Sequence, residues 1–190
     1  MQLLQGIQKV HYSNSAVFRV PTNGGDAFMC ATRSNYNNEK RAVVVVDSEK
    51  FLALWRRPGG SHDDIAHQSP ENWPADYKFH KAVDGFSRGE TNPVPLALVH
   101  CYEEAEPHEI FKRGLLNSWK YVRTDVRQRI TLSFTNGITR TIWLLANGAK
   151  AFPVECDLRS ANLLQAIAGM PGERYKTVEE LIPPEMERTW

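Results

Sequence analysis

The fold is decided by residues 129–155, which read RITLSFTNGITRTIWLLANGAKAFPVE. The segment opens with RITLSF, whose apolar residues alternate at the two-residue period of a β-strand. The dipeptide Asn136-Gly137 then predicts a tight turn, and TRTIWLLA predicts a short helix. Gly148 follows as a helix stop, and FPVEC predicts a second strand. We therefore expect a strand–turn–helix–strand unit.

The turn in this unit is a candidate anion site. A glycine turn that leads into a helix N-terminus presents free backbone N–H groups and the positive end of the helix dipole. Arg140 lies in the predicted first turn of the helix, where its guanidinium can donate two hydrogen bonds to a phosphate. On the local pattern alone, an ordinary corner with a solvent-exposed arginine is the simpler interpretation.

Predicted strands and helices alternate along the rest of the chain. A β-branched run at 41–47 predicts a strand buried on both faces, and Ser48 is a suitable N-cap for the helix that follows. Residues 58–76 are rich in Pro, Gly, Ser and Asp and predict a long surface loop. The other expected elements are strands at 10–20, 27–32 and 94–102, a helix at 107–122, a helix capped by Asp157, and a short helix with a Thr177–Glu180 capping box. We expect a single mixed α/β domain over 1–190, with a small mixed sheet and flanking helices.

Composition narrows the class of protein. Of 190 residues, 42% are hydrophobic and 24% are charged, which excludes a disordered, collagen-like or coiled-coil chain. The net charge of +1 means that any contact with nucleic acid must come from a local patch. No apolar run approaches the ~18 residues of a membrane span. Three cysteines are an odd number that favours reduced thiols, so we expect a cytoplasmic protein.

Positive charge is concentrated in residues 112–140, which contain seven Lys or Arg and one acidic residue. Trp119 and Tyr121 are interleaved with these charges, a combination that can attract a phosphate backbone and stack on bases. The candidates for DNA contact are Arg123, Arg127 and Arg129. The alternative is that these charges pair with the four glutamates of 103–109 within the protein.

The ordered elements of 129–155 resemble the signature of the ParB/sulfiredoxin superfamily. That signature is a strand, (D/N)-G-x-x-R, a short helix, a glycine and a strand that begins with Pro-Val. Here these elements are the run Asn136 to Arg140, the helix before Gly148, and Pro153-Val154. The resemblance implies a ParB/sulfiredoxin-like fold.

The resemblance also implies roles for the residues of the turn. Gly137 and Arg140 match the positions that contact nucleotide phosphates in the superfamily, and Asn136 and Thr139 lie in the same turn. Sulfiredoxins carry a catalytic cysteine directly after the motif glycine. Ile138 stands at that position in this chain, so we do not expect sulfinic acid reductase chemistry.

A second stretch of sequence indicates one particular family within this superfamily. Residues 83–101, VDGFSRGETNPVPLALVHC, together with FTNGITRTIWLLANGA, are similar to the plasmid fertility-inhibition family of this superfamily. This resemblance implies a protein that blocks DNA transfer by conjugation or T-DNA type IV secretion, through ATP binding and hydrolysis and DNase activity. It implies ATP with Mg²⁺ as the cofactor. The implied partners are the transferring DNA strand and a secretion-system coupling protein, at the cytoplasmic face of the inner membrane.

Phosphoryl transfer needs cations on the phosphate and a group that orients water. Arg140 supplies one cation at the predicted turn. Arg88 and Glu90 can supply a second cation and a carboxylate, provided that the 83–93 loop folds towards the turn. No Walker A string is present in the sequence, so the predicted hydrolysis is not of the P-loop kind.

Two classes of function stay open. The first, which we prefer, is a nucleotide-dependent phosphodiesterase that acts on DNA, and the intact glycine–arginine turn behind the positively charged segment favours it. The second is a non-catalytic nucleotide-binding inhibitor that occupies the coupling protein or the secretion entrance, and the lack of a compact metal–carboxylate set in the sequence favours it. His62, Asp63, Asp64 and His67 have a metal-like spacing, but we interpret them as a solvated loop and assign no metal site; His100 and Cys101 are assigned to the core.

Overall fold

The computed structural model describes residues 3–33, 40–113 and 119–184. The strands are β1 Leu4–Val10, β2 Ser13–Thr22, β3 Gly25–Thr32, β4 Arg41–Asp47, β5 Val94–Pro95, β6 Ala97–Arg113, β7 Trp119–Asn136, β8 Ala151–Asp157 and β9 Lys176–Thr177. The helices are α1 Ser48–Trp55, α2 Asp63–Ala66, α3 Phe79–Ser87, α4 Ile138–Ala146, α5 Leu158–Ala168 and α6 Val178–Leu181. The predicted mixed α/β class is confirmed.

The strands form two sheets. One has four strands in the order β1-β2-β3-β5, and the other has five in the order β7-β6-β8-β4-β9. Both sheets are mixed, because β3 and β5 pair in parallel in the first sheet and β6 and β8 pair in parallel in the second. The sequence predicted one small sheet, and β1, whose residues alternate between half-buried and exposed positions, was not among the predicted strands.

The core lies around β4 and β8, which pair antiparallel with Val44 opposite Val154. Both valines are fully buried, as the continuous apolar run of β4 predicts for a strand covered on both faces. Helix α1 packs against this sheet through Phe51, whose ring meets that of Phe152 edge-on at 5.4 Å. Edge-to-face contacts of this kind stabilise aromatic pairs beyond the area that they bury.

The predicted strand–turn–helix–strand unit is present. β7 ends at Asn136, α4 begins at Ile138, and β8 follows after a turn at Gly148, which has φ +73° as expected for a glycine that ends a helix. The predicted cap of α5 by Asp157 and the Thr177–Glu180 capping box are also confirmed. Helix α1 differs in detail, because its N-cap is Asp47 and Ser48 is its first helical residue.

The helix predicted at 107–122 is wrong for residues 107–113 and 119–122, and residues 114–118 lie outside the described residues. Residues 97–113 and 119–136 are the strands of a long antiparallel hairpin, β6–β7, in which Glu104 lies opposite Arg129 and Pro107 opposite Val126. The apolar residues of 107–122 match a helical stripe, but the β-branched and aromatic residues after 119 pair with the preceding strand. Cross-strand pairing therefore overrides the local pattern.

Two predicted loops contain helices. Residues 58–76 include α2 and a 3₁₀ turn at Trp73–Ala75, because Trp73 is fully buried and its indole donates a hydrogen bond to the Ile65 carbonyl at 2.8 Å. The 83–93 segment begins inside α3, where Phe86 stacks on Trp143 of α4 at 4.2 Å. Within the described residues, no helix is long and apolar enough to cross a membrane.

Candidate nucleotide and nucleic-acid site

Gly137 has two physical reasons to be glycine. Its φ is +97°, a left-handed conformation that L residues with a side chain rarely adopt. A Cβ built on Gly137 would also lie 2.6 Å from the Cα and 2.7 Å from the Cβ of Ala97, at the start of β6. The motif glycine therefore allows the turn to pass directly against the neighbouring strand.

The turn leaves the N-terminus of α4 without a capping side chain. Gly137 is the N-cap of α4 and has no side chain to accept the free amides. In contrast, Asp47, Asp157 and Thr177 each accept hydrogen bonds from the first turns of α1, α5 and α6. The free amides and the helix dipole make the start of α4 suitable for an anion, as the sequence predicts. Asn136 is exposed and Thr139 is half-buried beside it.

The Arg140 side chain forms hydrogen bonds within the protein that the sequence does not predict. Its guanidinium donates to the carbonyls of Pro95 and Leu96, the latter at 2.9 Å, and approaches the Asn136 side-chain oxygen at 3.5 Å. Burial lowers the pKa of Arg140 below its ordinary value. Arg140 thus joins α4 to the backbone between β5 and β6, and its contact with phosphate stays a prediction.

Arg88 and Glu90 do not meet this turn through their side chains. Arg88 is exposed at the end of α3, and Glu90 accepts a hydrogen bond at 2.8 Å from Gln8 of β1. Within the part of the chain that the structure describes, neither forms a hydrogen bond or ion pair with residues 136–140. The chain contacts the turn only after the 83–93 loop, where the carbonyls of Pro95 and Leu96 accept hydrogen bonds from Arg140. The catalytic roles of Arg88 and Glu90 stay predictions.

A polar network surrounds His100 that was not predicted from the sequence. We assigned this residue to the core, but its side chain is 41% exposed and its Nδ1 lies 2.8 Å from an oxygen of Asp157. Its Nε2 lies 2.8 Å from the hydroxyl of Thr135, the residue that precedes the turn. Ser160 donates to the same carboxylate at 2.8 Å. No local signal could have joined His100 to Asp157, because they are 57 positions apart in the chain.

An open cleft of about 1380 Å³ runs beside this network. Its polar and charged lining includes His100, Ser133, Asp157, Lys40 and Arg159. Residues 136–140 are not part of its lining, although Thr135 links them to His100. The cleft therefore lies next to the predicted anion site and is distinct from it.

The predicted DNA-contacting arginines lie on the outer part of the β6–β7 hairpin, residues 103–113 and 119–130, which we call the arm. Arg123, Arg127 and Arg129 alternate along β7, so they share one face of the arm. Arg129 donates to Glu104 and Glu106, both at 3.0 Å, and Arg123 pairs with Asp125 at 3.1 Å. Arg127 is exposed, and the described residues offer it no ion pair. Internal pairing therefore applies most strongly to Arg129.

The opposite face of the arm carries exposed aromatic residues together with the charged Glu103, Glu109 and Arg113. Phe111 lies opposite Tyr121, and their rings meet edge-on at 6.0 Å. Trp119 and Val126 share this face by their register and are 69% and 65% exposed. The arm therefore presents its exposed aromatic rings on one face and the three arginines on the other, an arrangement that the helical prediction for 107–122 did not anticipate.

All three cysteines are free and buried. Burial raises the pKa of Cys30 and Cys101 to about 11 and that of Cys156 to about 12. The thiols are therefore protonated near neutral pH and unsuited to nucleophilic chemistry. Among residues 3–33, 40–113 and 119–184, no group of three or more His, Cys, Asp or Glu side chains could hold a metal ion.

Comparisons with known proteins identify a similar sequence and a similar crystal structure. The chain is 29% identical over 142 residues to Protein osa of Shigella flexneri, a match that covers 74% of this chain and 61% of that protein's length. It is also similar to the crystal structure of an oncogenic suppression activity protein described as a plasmid fertility inhibition factor. That match has a TM-score of 0.62 and 29% identity, and covers 94% of this chain and 80% of the other. A family model for plasmid fertility inhibition factors matches residues 43–169, which is more than half of the chain. The chain therefore belongs to the plasmid fertility inhibition factor family.

Proposed function

We propose that this protein blocks DNA transfer by conjugation or T-DNA type IV secretion by binding and hydrolysing ATP with Mg²⁺ and cutting the transferring strand. The observation that carries the proposal is the uncapped N-terminus of α4 behind Gly137, which offers free amides to a nucleotide phosphate. Membership of the fertility-inhibition family supports the biological role. The protein acts at the cytoplasmic face of the inner membrane, near the secretion machinery.

In this proposal the arm holds DNA. The exposed Trp119 and Tyr121 stack on unpaired bases. Arg127, together with Arg123 and Arg129, contacts the phosphate backbone. The transferring strand in conjugation is single, so its bases are available for stacking. The basic experiment measures ATP hydrolysis and DNA degradation by the purified protein, with and without Mg²⁺.

Replacing Arg140 by Ala should weaken ATP binding about ten- to a hundredfold, because a charge-assisted contact contributes roughly 1.5–3 kcal/mol. The contacts of Arg140 with Pro95 and Leu96 mean that the variant should also unfold at a lower temperature. Calorimetric titration with ATP, below the melting temperature of the variant, separates the two effects. Arg33→Ala, which removes an exposed arginine at the end of β3, is the control. A folded Arg140→Ala variant with unchanged ATP affinity would place the nucleotide elsewhere.

Neutralising Arg127 should flatten the salt dependence of DNA binding. Each lost phosphate contact lowers the slope of log affinity against log salt by about 0.7 on single strands and about 0.9 on duplex DNA. Arg129→Gln should instead lower thermal stability with less change in slope, because Arg129 pairs with Glu104 and Glu106. Fluorescence anisotropy over a salt series measures the slope. An unchanged slope for the triple Arg123, Arg127 and Arg129 variant would remove the arm from the DNA site.

The second candidate is a non-catalytic nucleotide-binding inhibitor that occupies the coupling protein or the secretion entrance. The engagement of Arg140 by backbone carbonyls favours it, since that arginine is then a structural link. The two candidates differ in one result. A variant that binds ATP but does not hydrolyse it should still block transfer in a mating assay if inhibition needs only occupancy, and should fail if it needs catalysis.

A further inference from the structure

His100 stands in an unbroken chain of polar contacts that three strands bring together. From β8, Asp157 meets its Nδ1 at 2.8 Å; from β7, the Thr135 hydroxyl meets its Nε2 at 2.8 Å. Ser160 fixes the carboxylate by donating from its hydroxyl and its backbone N–H, both at 2.8 Å, and its hydroxyl accepts from the backbone N–H of Cys101 at 3.1 Å. The imidazole is thus held on both nitrogens, and its carboxylate partner is itself held in place.

The hydrogen-bond partners of His100 determine which of its ring nitrogens carries the proton. Burial alone would raise the pKa of Asp157, but the hydrogen bonds from His100 and Ser160 outweigh it and keep that pKa below its usual value. An ionised carboxylate only accepts hydrogen bonds, so the proton of a neutral imidazole lies on Nδ1. Nε2 then accepts from the Thr135 hydroxyl. This is the order carboxylate, imidazole, hydroxyl in which an imidazole takes a proton from a nucleophile.

His100 shares its cleft with two cationic side chains. The side chain is 41% exposed and forms part of the wall of the open cleft of about 1380 Å³. Lys40 and Arg159 line the same cleft, and Ser133 and Asn162 add uncharged hydrogen-bonding groups. The acidic lining residues are Glu103 and Asp157, and Asp157 is hydrogen-bonded to His100 and Ser160. Two cations beside a proton acceptor suit a phosphate ester.

We propose that His100, oriented by Asp157, is the general base of a phosphate-ester hydrolysis site in this cleft, with Lys40 and Arg159 binding the phosphate. The inference rests on the proposed function. It places the substrate phosphate that reacts in that function beside β6 and α5. Arg140 and the α4 turn then bind nucleotide next to the reacting centre. The substrate class is a phosphodiester or phosphoanhydride.

The step is a hydrolysis that needs only water as co-reactant. A water molecule displaces the Thr135 hydroxyl from Nε2 and gives its proton to that nitrogen as its oxygen bonds to phosphorus. The bond from phosphorus to the leaving oxygen breaks, and that oxygen takes the bonding electron pair. The imidazolium then returns the proton to the leaving oxygen, and Asp157 stays ionised throughout.

Replacing His100 by Gln should lower kcat for hydrolysis of bis(4-nitrophenyl) phosphate and single-stranded DNA by about 100- to 10,000-fold. ATP binding should be unchanged, because His100 does not belong to the α4 turn. His67→Gln is a matched control, since His67 also pairs with an aspartate, Asp63 at 3.2 Å, but lies outside the cleft. In His100→Ala, added imidazole should restore part of the rate, since the exposed position leaves room for it.

Asp157 is a positioning residue and has its own test. Asp157→Asn should lower kcat with little change in KM, and the double variant with His100→Gln should be no slower than His100→Gln alone. Residues that act as one unit show this non-additivity, whereas a merely structural loss would add to the first. Thr135→Val should lower kcat far less than His100→Gln, because it removes one contact that orients the imidazole and leaves the attacking water in place.

The outcomes separate the inference from the proposed function. If the wild-type protein hydrolyses neither the diester nor DNA nor ATP, the hydrolase function fails, and the inference fails with it. If the wild-type protein is active and His100→Gln is equally active while folded, only the inference is wrong. A Thr135→Val variant as inactive as His100→Gln would overturn water as the nucleophile.

Discussion

Replacing Arg41 by Ala should lower the free energy of unfolding at neutral pH by about 3–5 kcal/mol, the usual cost of leaving a buried charge without its partner. Arg41 opens β4 and forms an ion pair with Glu155 of β8, whose carboxylate is almost fully buried. Without the guanidinium, the folded protein must either bury an uncompensated carboxylate or protonate it. Urea denaturation of wild-type and variant proteins measures the difference.

This loss of stability should depend on pH in a defined direction. Burial raises the pKa of Glu155, and the charge of Arg41 opposes that rise. For an acid whose folded-state pKa is raised, stability is highest below the unfolded pKa and falls as pH rises through the folded value. Arg41→Ala removes the opposing charge and raises the folded pKa further, so its cost should be small in acid and grow towards neutral pH.

Glu155→Gln provides the control for this interpretation. In that background the carboxylate is absent, so Arg41→Ala should lose its pH dependence. A double replacement by apolar residues of similar volume, Arg41→Met with Glu155→Leu, should recover much of the stability, because buried ion pairs are often replaceable in this way. A cost of Arg41→Ala that is the same at acid and neutral pH would contradict this account of the pair.

Gly137→Ala should lower the free energy of unfolding by about 2–5 kcal/mol. A left-handed backbone costs a residue with a side chain about 1–2 kcal/mol, and overpacking adds about 1–3 kcal/mol. The new methyl group would meet the backbone of Ala97 at 2.6 Å, which no side-chain rotation can relieve. Thermal and urea unfolding measure the loss, and ATP binding should weaken in parallel as the turn shifts.

Gly172→Ala is the matched control for the backbone contribution. Gly172 has φ +79°, but a Cβ there would meet no atom within 4 Å, so only the conformational cost of about 1–2 kcal/mol applies. The excess cost at Gly137 then measures the close approach of the turn to β6. Equal losses at the two positions would show that this contact relaxes freely.

The local structural units of this protein can be predicted from its sequence. The strand, turn, helix and second strand of 129–155 follow from alternation, an Asn-Gly turn and a glycine stop, all within a short stretch of chain. The cap of α5 by Asp157 and the Thr177–Glu180 capping box were equally readable. Such signals arise from hydrogen bonds and backbone conformations of residues that are close in sequence. Both partners of each interaction can therefore be identified in one short stretch of sequence.

Contacts between residues that are far apart in the sequence became apparent only in the tertiary structure. The arm replaced a predicted helix because residues 107–113 gain more from pairing with β7, the next strand of the hairpin, than from their own periodicity. Arg140 found its partners in the backbone of Pro95 and Leu96, and His100 found Asp157 at a separation of 57 positions. Sheet pairing places these groups within hydrogen-bond distance, and nothing in the sequence around either partner encodes that distance. For this reason the sequence identified the turn and its arginine, whereas the polar network beside the cleft appeared only in the folded chain.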